Sequence, residues 1–353
     1  MLIREAADNE NLALNALQRR CPMGTTMIIG ADSSPDYFAR SKPFKNWHVV
    51  VAVENDVIVG SAAFAIIDSR VGGRQLKTGF EYGFMVDPLH RRRGIAEKLQ
   101  NHIEQIMSNE GVELVHLDII EDNLPSIRLF SKMGFKNVKN CVMFSLLPRK
   151  KLKTRAGANV RSMNESDLDE VTDLVNEMYS DYDFFSPFQP RDFSEYVNRM
   201  PSFNIGNIVV FEDRDRIKGC LGCWDHSKIR RYIVERMSWK LRIQTGLMRL
   251  MGVFVKMPRI PRQGESLLSY SLTVMACKDL ESMTELIKHA VNDALENRVN
   301  QVNAVVDPDN PLTASLSQFM HTKVKIHFFA KSLTKEDLPN FEKRKIYVDA
   351  NQM

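Results

Sequence analysis

The chain lacks a long apolar run, a strong net charge and an even set of cysteines. No stretch approaches the roughly 20 apolar residues of a membrane-spanning helix. The N-terminus, Met1-Leu2-Ile3-Arg4-Glu5, is charged and strand-like from its start, the wrong pattern for a secretory leader. A cytoplasmic location is expected. Lys+Arg 48 against Asp+Glu 44 leaves +4, too mild to point to nucleic acid. Five cysteines (Cys21, Cys141, Cys220, Cys223, Cys277) are odd in number and scattered, which argues against a disulfide framework. Cys220-Leu221-Gly222-Cys223 has no second pair for a metal, and on a strand its two thiols face opposite ways. No metal is expected. What remains is an ordinary globular composition, 44% hydrophobic and 26% charged, over 353 residues, long enough for two domains.

The first part alternates strands and helices: strand Leu2–Glu5, helix Asn9–Arg20, a helix start at Ser34 with Pro35 in its first turn, and a hairpin of His48–Glu54 and Val57–Ile67 around Asn55-Asp56. Strand Thr78–Val86, helix Ala96–Ser108, strand Glu113–Ile120, helix Leu124–Lys132 and strand Val138–Leu146 follow. This is a mixed α/β order. Pro148–Ala158 is polar, basic and without apolar period, a linker.

Between the strand ending at Val86 and the helix after it lies Asp87-Pro88-Leu89-His90-Arg91-Arg92-Arg93-Gly94-Ile95-Ala96. A helix start offers unpaired N–H groups and the positive end of the macrodipole. Gly94 and Ala96 keep side chains clear, so a pyrophosphate can approach the backbone, with three arginines at the rim. Downstream, Asn123-Leu124-Pro125-Ser126-Ile127-Arg128-Leu129-Phe130-Ser131-Lys132-Met133-Gly134-Phe135 forms a second compact motif.

Together these segments resemble the GNAT superfamily of N-acetyltransferases. Arg91-x-x-Gly94-x-Ala96 matches its acyl-CoA signature, and Asn123 to Phe135 matches its second conserved run. The resemblance covers residues 1–147 well. It implies acetyl-CoA as co-substrate, bound by the backbone of Phe84, Met85 and Val86, by Arg91 to Ala96 (Arg91, Arg92, Arg93, Gly94, Ile95, Ala96), by Asn123 and beside Phe130. The family's strand bulge makes parity undecidable here, so either Glu81 or Tyr82 is expected to face the cleft as catalytic group, with Asp118 and His116 behind them. Phe130 departs from the family's tyrosine and cannot protonate a leaving thiolate.

After the linker the pattern repeats: strand Asn159–Met163, helix Asp167–Tyr179, a hairpin around Asp213-Arg214-Asp215, strand Leu267–Ala276 and strand Gln301–Val306. Cys277-Lys278-Asp279-Leu280-Glu281 carries neither glycine nor arginines, so this half is expected to have lost pyrophosphate binding. The expected layout is two tandem GNAT folds: residues 1–147, a linker at 148–158, a degenerate half at 159–340 with a basic amphipathic insertion at 226–263, and a tail at 341–353. Glu235 is the only acid in Lys228–Arg262. That composition suits either a helix packed on its own domain or a surface for membranes or acidic partners.

The acceptor is expected to be the primary amine of a small molecule, with a protein amine second. Asp32, Asp36 and Tyr37, and the run Tyr179 to Phe185, are candidates to hold it. Transfer would be direct, in a ternary complex. The rival readings are a non-catalytic acyl-CoA sensor and a peripheral membrane or partner-binding protein. A membrane is not the expected partner, and a homodimer is compatible with the sequence.

Overall fold

The computed structural model describes residues 1–251 and 257–350. The first half contains β1 (Leu2–Glu5), α1 (Asn11–Arg20), β2 (Met27–Asp32), β3 (Asn46–Glu54), β4 (Val57–Val71), β5 (Arg74–Val86), α2 (Ile95–Asn109), β6 (Leu114–Ile120), α3 (Leu124–Lys132) and β7 (Lys136–Leu146). The second contains β8 (Asn159–Ser162), α4 (Leu168–Met178), α5 (Pro190–Arg199), β9 (Ile208–Asp213), β10 (Arg216–Asp225), β11 (Arg231–Met237), α6 (Trp239–Met251), β12 (Ser266–Leu267), β13 (Ser269–Cys277), α7 (Leu280–Glu296), β14 (Gln301–Val306), α8 (Leu312–Leu316) and β15 (His321–Ser332). Both expected hairpins form. Asn55 and Asp56, like Arg214 and Asp215, take left-handed φ between 50° and 62°, the twist that a two-residue hairpin turn requires.

Twelve of the described strands join in one sheet, ordered β1-β3-β4-β5-β6-β15-β7-β14-β13-β10-β9-β8. The centre of that order is an exchange. β15, the last strand of the chain, pairs with β6 of the first half, and β7 pairs with β14 of the second. β15 and β7 also pair with each other over a long antiparallel register. Each half is thus completed by a strand from the other, which no local periodicity announces.

Helices cover both faces. On one face of the first half, α1 packs Leu14 and Leu17 with Tyr37, Phe38, Phe80 and Tyr82. On the other, α2 buries Ile95, Leu99, Ile103 and Met107, one apolar stripe at helical spacing, against Val115, Leu117 and Phe130. Strand alternation therefore sends Phe80 and Tyr82 to the α1 face and Glu81 to the α2 face.

Three expectations are corrected. The element after Ser34 is a short 3-10 turn at Tyr37–Arg40, and its cap is Asp36, whose Oδ1 accepts from the Phe38 amide at 3.0 Å. The insertion is not one amphipathic helix. Its first part, β11, pairs with β2 of the first half and with β12, making a three-stranded bridge between the halves. Its basic residues do not form one solvated face either: Arg230 is buried and Arg231 bonds Asp32 at 3.1 Å. The part of the insertion at 252–256 lies outside the described residues, and so does the end of the tail, 351–353. Among the described residues no helix is long and apolar enough to cross a membrane. Cys220 and Cys223 pack into opposite clusters, and all five thiols are free.

Candidate active site

β5 and β6 run parallel and pair from Thr78 opposite Leu114 to Glu81 opposite Leu117, then part. The parting follows from a bulge. Between Tyr82 and Met85, β5 holds one residue more than the facing stretch Ala63 to Ser61 of β4. Gly83 sits there at φ +67°, which a side chain would resist. The fork so opened is a slot between two strands, with free edge groups of β5 on one side.

At the outer end of the fork stands the start of α2. Gly94 caps it at φ +73°, and a Cβ built there would meet nothing within 4 Å. The amides of Ile95, Ala96 and Glu97 precede the first helical bond, Lys98 N to Gly94 O at 3.1 Å. They form an open anion cradle in line with the helix dipole. Arg92 has left-handed φ (+62°) and no partner among the described residues. Arg91 donates through Nε to Val86 O at 3.1 Å, and Arg93 bonds Glu54 at 2.7 Å. The Ile95 side chain is core, so that residue offers only its backbone.

Asp87 fixes this turn. Burial would raise its carboxyl, but the Leu89 amide (3.0 Å), Arg20 (2.6 Å) and His90 hold it below the usual range. Asn123 caps α3 by accepting from the Ser126 amide at 3.3 Å and remains exposed. Phe130 packs edge-on against Phe84 at the bulge, with ring centroids 5.0 Å apart. The structure thus brings Phe84 and Phe130 together, and places Arg91 to Gly94 in a loop that runs directly into α2 at Ile95 and Ala96.

Glu81 and Tyr82 take opposite faces. Glu81 lies under α2, 1% exposed, with Oε1 accepting from Gln100 Nε2 at 2.8 Å and Oε2 unpartnered. Burial raises its carboxyl to about 8. Tyr82 lies on the α1 face, donates to Ser41 Oγ at 2.8 Å and carries the Arg40 guanidinium over its ring. Burial pushes its phenol up to about 12.

Asp118 stands across the fork from Tyr82, on the same face of the sheet. It is the first β6 residue past the last pairing with β5, so it stands at the fork. It shares the α1 face with His116, whose ring lies against Phe80, Phe184 and Phe328. Its Oδ1 has no partner. Burial raises its carboxyl to about 7 against the opposing field of Arg40. His116 is held neutral by burial, at about 3. The signal for Asp118 was present in strand parity counted on β6, which carries no bulge, whereas parity on β5 was scrambled.

The expected acceptor acids are spoken for. Asp32 bonds Arg231 and accepts from the Ser34 amide at 3.0 Å, and Asp36 caps its turn and pairs with Lys42. Tyr37 is buried on the α1 face. Of the run Tyr179 to Phe185, Phe184 reaches His116, while the Tyr179 hydroxyl donates to Met275 O at 2.7 Å inside the second half.

Residues 14–135 match the acetyltransferase (GNAT) family. No curated protein sequence matches the chain. Among solved structures, the chain is similar to Saccharomyces cerevisiae N-myristoyltransferase with bound myristoyl-CoA, at TM-score 0.65 and 12% identity over 93% of this chain and 82% of that one. It is also similar to a GCN5-related N-acetyltransferase from Anabaena variabilis, at TM-score 0.55 and 12% identity over 94% and 73%. A probable N-acyltransferase from Enterococcus faecalis is similar at TM-score 0.51 and 9% identity over 97% and 74%. The N-terminal half therefore carries a domain of the acetyltransferase (GNAT) family, and the chain as a whole has the tandem GNAT-type fold.

Proposed function

We propose that the protein is an acyl-CoA-dependent N-acyltransferase, with acetyl-CoA as donor and an amine as acceptor. Residues 1–147 form the catalytic unit and residues 159–340 a partner that has lost its own donor site. The single observation that carries this is the fork past Glu81 and Leu117: β5 leads from it into the open helix start at Gly94, and Asp118 is the first β6 residue beyond it.

The donor supplies a thioester, which an amine attacks without covalent help from the protein. The amides of Ile95, Ala96 and Glu97, with Arg92, hold the pyrophosphate. The backbone at Phe84, Met85 and Val86 lines the fork and aims an N–H at the carbonyl oxygen as charge builds there. Asp118 takes the proton from the amine as the C–N bond forms and the C–S bond breaks. The thiol, with a pKa near ~8.5, leaves as thiolate, which is tolerable without the tyrosine that Phe130 replaces. Glu81 sits on the other side of the sheet and acts in packing, not transfer. Phe84 closed against Phe130 favours a small acyl group.

Calorimetric titration of acetyl-CoA into wild type and an Arg93→Glu/Gly94→Glu double variant tests the donor site. A thiol-release assay over an amine library tests the reaction. Binding lost in the variant and amine-dependent thiol release support the reading; binding without release on any amine supports a sensor instead; no binding overturns both.

A second reading rests on α6. Trp239, Ile243 and Leu247, spaced by four, are 68%, 55% and 57% exposed, with Lys240 and Arg242 beside them. That stripe suits contact with an anionic membrane surface. Sedimentation with anionic vesicles, falling as salt rises and lost in Trp239→Ala/Ile243→Ala, tests it; equal pelleting of the variant removes it.

A further inference from the structure

The acceptor face of the fork is built by both halves and is rich in positive charge. Arg230, just before β11, is 8% exposed. Its Nε donates to Ser33 Oγ at 3.2 Å, and its charge favours the ionised form of the nearby Tyr232 phenol. Neither is a carboxylate, and Arg230 makes no ion pair among the described residues. A guanidinium taken out of water without a carboxylate is costly. One turn earlier, His226 is 3% exposed and its Nε2 has no hydrogen-bond partner. The Arg230 amide donates to His226 O at 3.0 Å, which fixes the two residues to each other. The His226 ring stacks on Tyr232, with centroids 6.2 Å apart, and feels the fields of Arg230 and Arg40. Arg40 in turn lies near Arg230, over the Tyr82 ring.

Arg40 links this cluster to the fork: its charge bears on Asp118 and also on Arg230, Tyr232 and His226, and Arg40, Tyr232 and Asp118 each retain some accessible surface. Around Arg40 stand two unsatisfied demands of opposite sign. At the fork a carboxylate oxygen, Asp118 Oδ1, lacks a donor. Farther out a buried guanidinium lacks an anion, and a neutral imidazole, which offers a donor when its proton sits on Nε2, lacks an acceptor. A molecule with an amine at one end and a carboxylate at the other answers both. A plain alkyl amine answers one and leaves Arg230 buried with neutral company.

Resting on the acyltransferase reading above, we propose that the acceptor is an amine carrying its own carboxylate, of the amino-acid class. Its carboxylate lies on Arg230 and His226 Nε2, and its amine is turned toward Asp118. One guanidinium and one imidazole N–H suit a planar monoanion, and the insertion becomes the element that delivers them.

The test uses the CoA-loaded protein and three matched sets of ligands: α-amino acids, their amides and the corresponding decarboxylated amines. The acids bind, and the amides and decarboxylated amines bind roughly 10- to 100-fold more weakly. Arg230→Gln removes the difference. Arg230→Lys keeps part of it, which guards against mere misfolding of the Gln variant, as does an unchanged circular dichroism spectrum. Acetate competes with the bound amino acid; competition by inorganic phosphate and not by acetate overturns the carboxylate assignment. Equal binding of acids, amides and decarboxylated amines, or a preference that survives Arg230→Gln, overturns the proposal. Thiol release with decarboxylated amines that is indifferent to Arg230→Gln leaves the acyltransferase standing and removes only this inference. Arg230-dependent carboxylate binding without thiol release on any amine does the reverse.

Discussion

The molecule holds two forks, and they differ in what fills them. In the first half β5 and β6 part after Glu81 and Leu117, with a bulge at Gly83 (φ +67°). In the second, β13 and β14 pair only from Ser269 to Ser271, and β13 gains an extra residue against β10 between Thr273 and Ala276. Val274 occupies the bulge at φ +52°, an uncommon conformation for a β-branched side chain. The same irregularity thus recurs at the same step of the repeat, once with glycine and once with strain. In the second half protein groups bond to the bulged strand itself. The Tyr179 hydroxyl bonds Met275 O, and Thr273 bonds Asp349 of the tail at 2.7 Å. The helix after it, α7, is closed by its own Asp279, which accepts from the Ser282 amide at 2.8 Å. One helix start has open space at its cap, Gly94, and the other carries the carboxylate of Asp279 in the same place. Fold can be duplicated while the site is not, because the site depends on a few residues at the edge and the fold on the pattern within.

The largest effect that tests this contrast belongs to Gly94. Gly94→Glu puts a Cβ at φ +73° and a negative charge in the cradle, and the affinity for acetyl-CoA measured by calorimetry falls by about 100-fold or more. A glutamate at the matching start of α7, Leu280→Glu, leaves that affinity unchanged. Equal losses from the two would mean that both helix starts bind donor, and the contrast would break.

Next in size is Asp118→Asn, which lowers kcat on the order of 100-fold or more with donor binding intact. Burial sets the Asp118 carboxyl at about 7, and the base must be ionised to work. Wild-type kcat/KM therefore rises about tenfold per pH unit below that value and levels off above it, while the variant is flat. Stability runs the other way. A carboxyl raised by folding contributes fully below its unfolded value of about 3.9, and the contribution is lost as pH rises through 7. Asp118→Asn thus raises Tm more at pH 8 than at pH 5. Glu81→Gln serves as the control on the opposite face, and a kcat loss there as large as at Asp118 would move the base across the sheet.

Much of this was legible from residues whose role is local. The run Arg91 to Ala96 had to be a helix start after a strand, and Asn55-Asp56 and Arg214-Asp215 had to be turns, because those demands are settled within a few residues. The exchange of β7 and β15 was not legible, since either strand satisfies the same alternation beside β6 or β14. Nor was the pairing of β11 with β2, which joins residues 199 apart in the contact of Asp32 with Arg231. Tyr179 read as a residue that might close over an amine because aromatic and acidic neighbours look alike in a site and in a plug. Which of Glu81 and Tyr82 faces α1 was not legible either, because a bulge on β5 hides which way its side chains point.

The plug itself predicts the third effect. Tyr179→Phe removes the donor to Met275 O and leaves a buried carbonyl without its partner, which costs about 1–3 kcal/mol in denaturant unfolding. Donor affinity is unchanged if, as proposed, the donor binds in the first half alone. A weakened donor affinity would instead couple the two forks through the shared sheet.

The smallest effect is the most discriminating about why the second half is closed. Asp279 is exposed, and its carboxylate serves the Ser282 amide and hydroxyl at 2.8 and 2.9 Å. Asp279→Ala costs about 1 kcal/mol as a lost cap, and Asp279→Asn, which keeps the acceptor and removes the charge, costs less. Neither restores an anion site, because Glu281 still stands in the first turn, bonded to Arg155 at 2.8 Å, and the Tyr179 hydroxyl still bonds Met275 O on the bulged strand. Calorimetry of both variants therefore returns one acetyl-CoA per chain. A second equivalent appearing in Asp279→Ala and not in Asp279→Asn would show that the cap alone shuts the helix start. The second half would then be one substitution from a donor site, and the difference between the forks would rest on that cap alone.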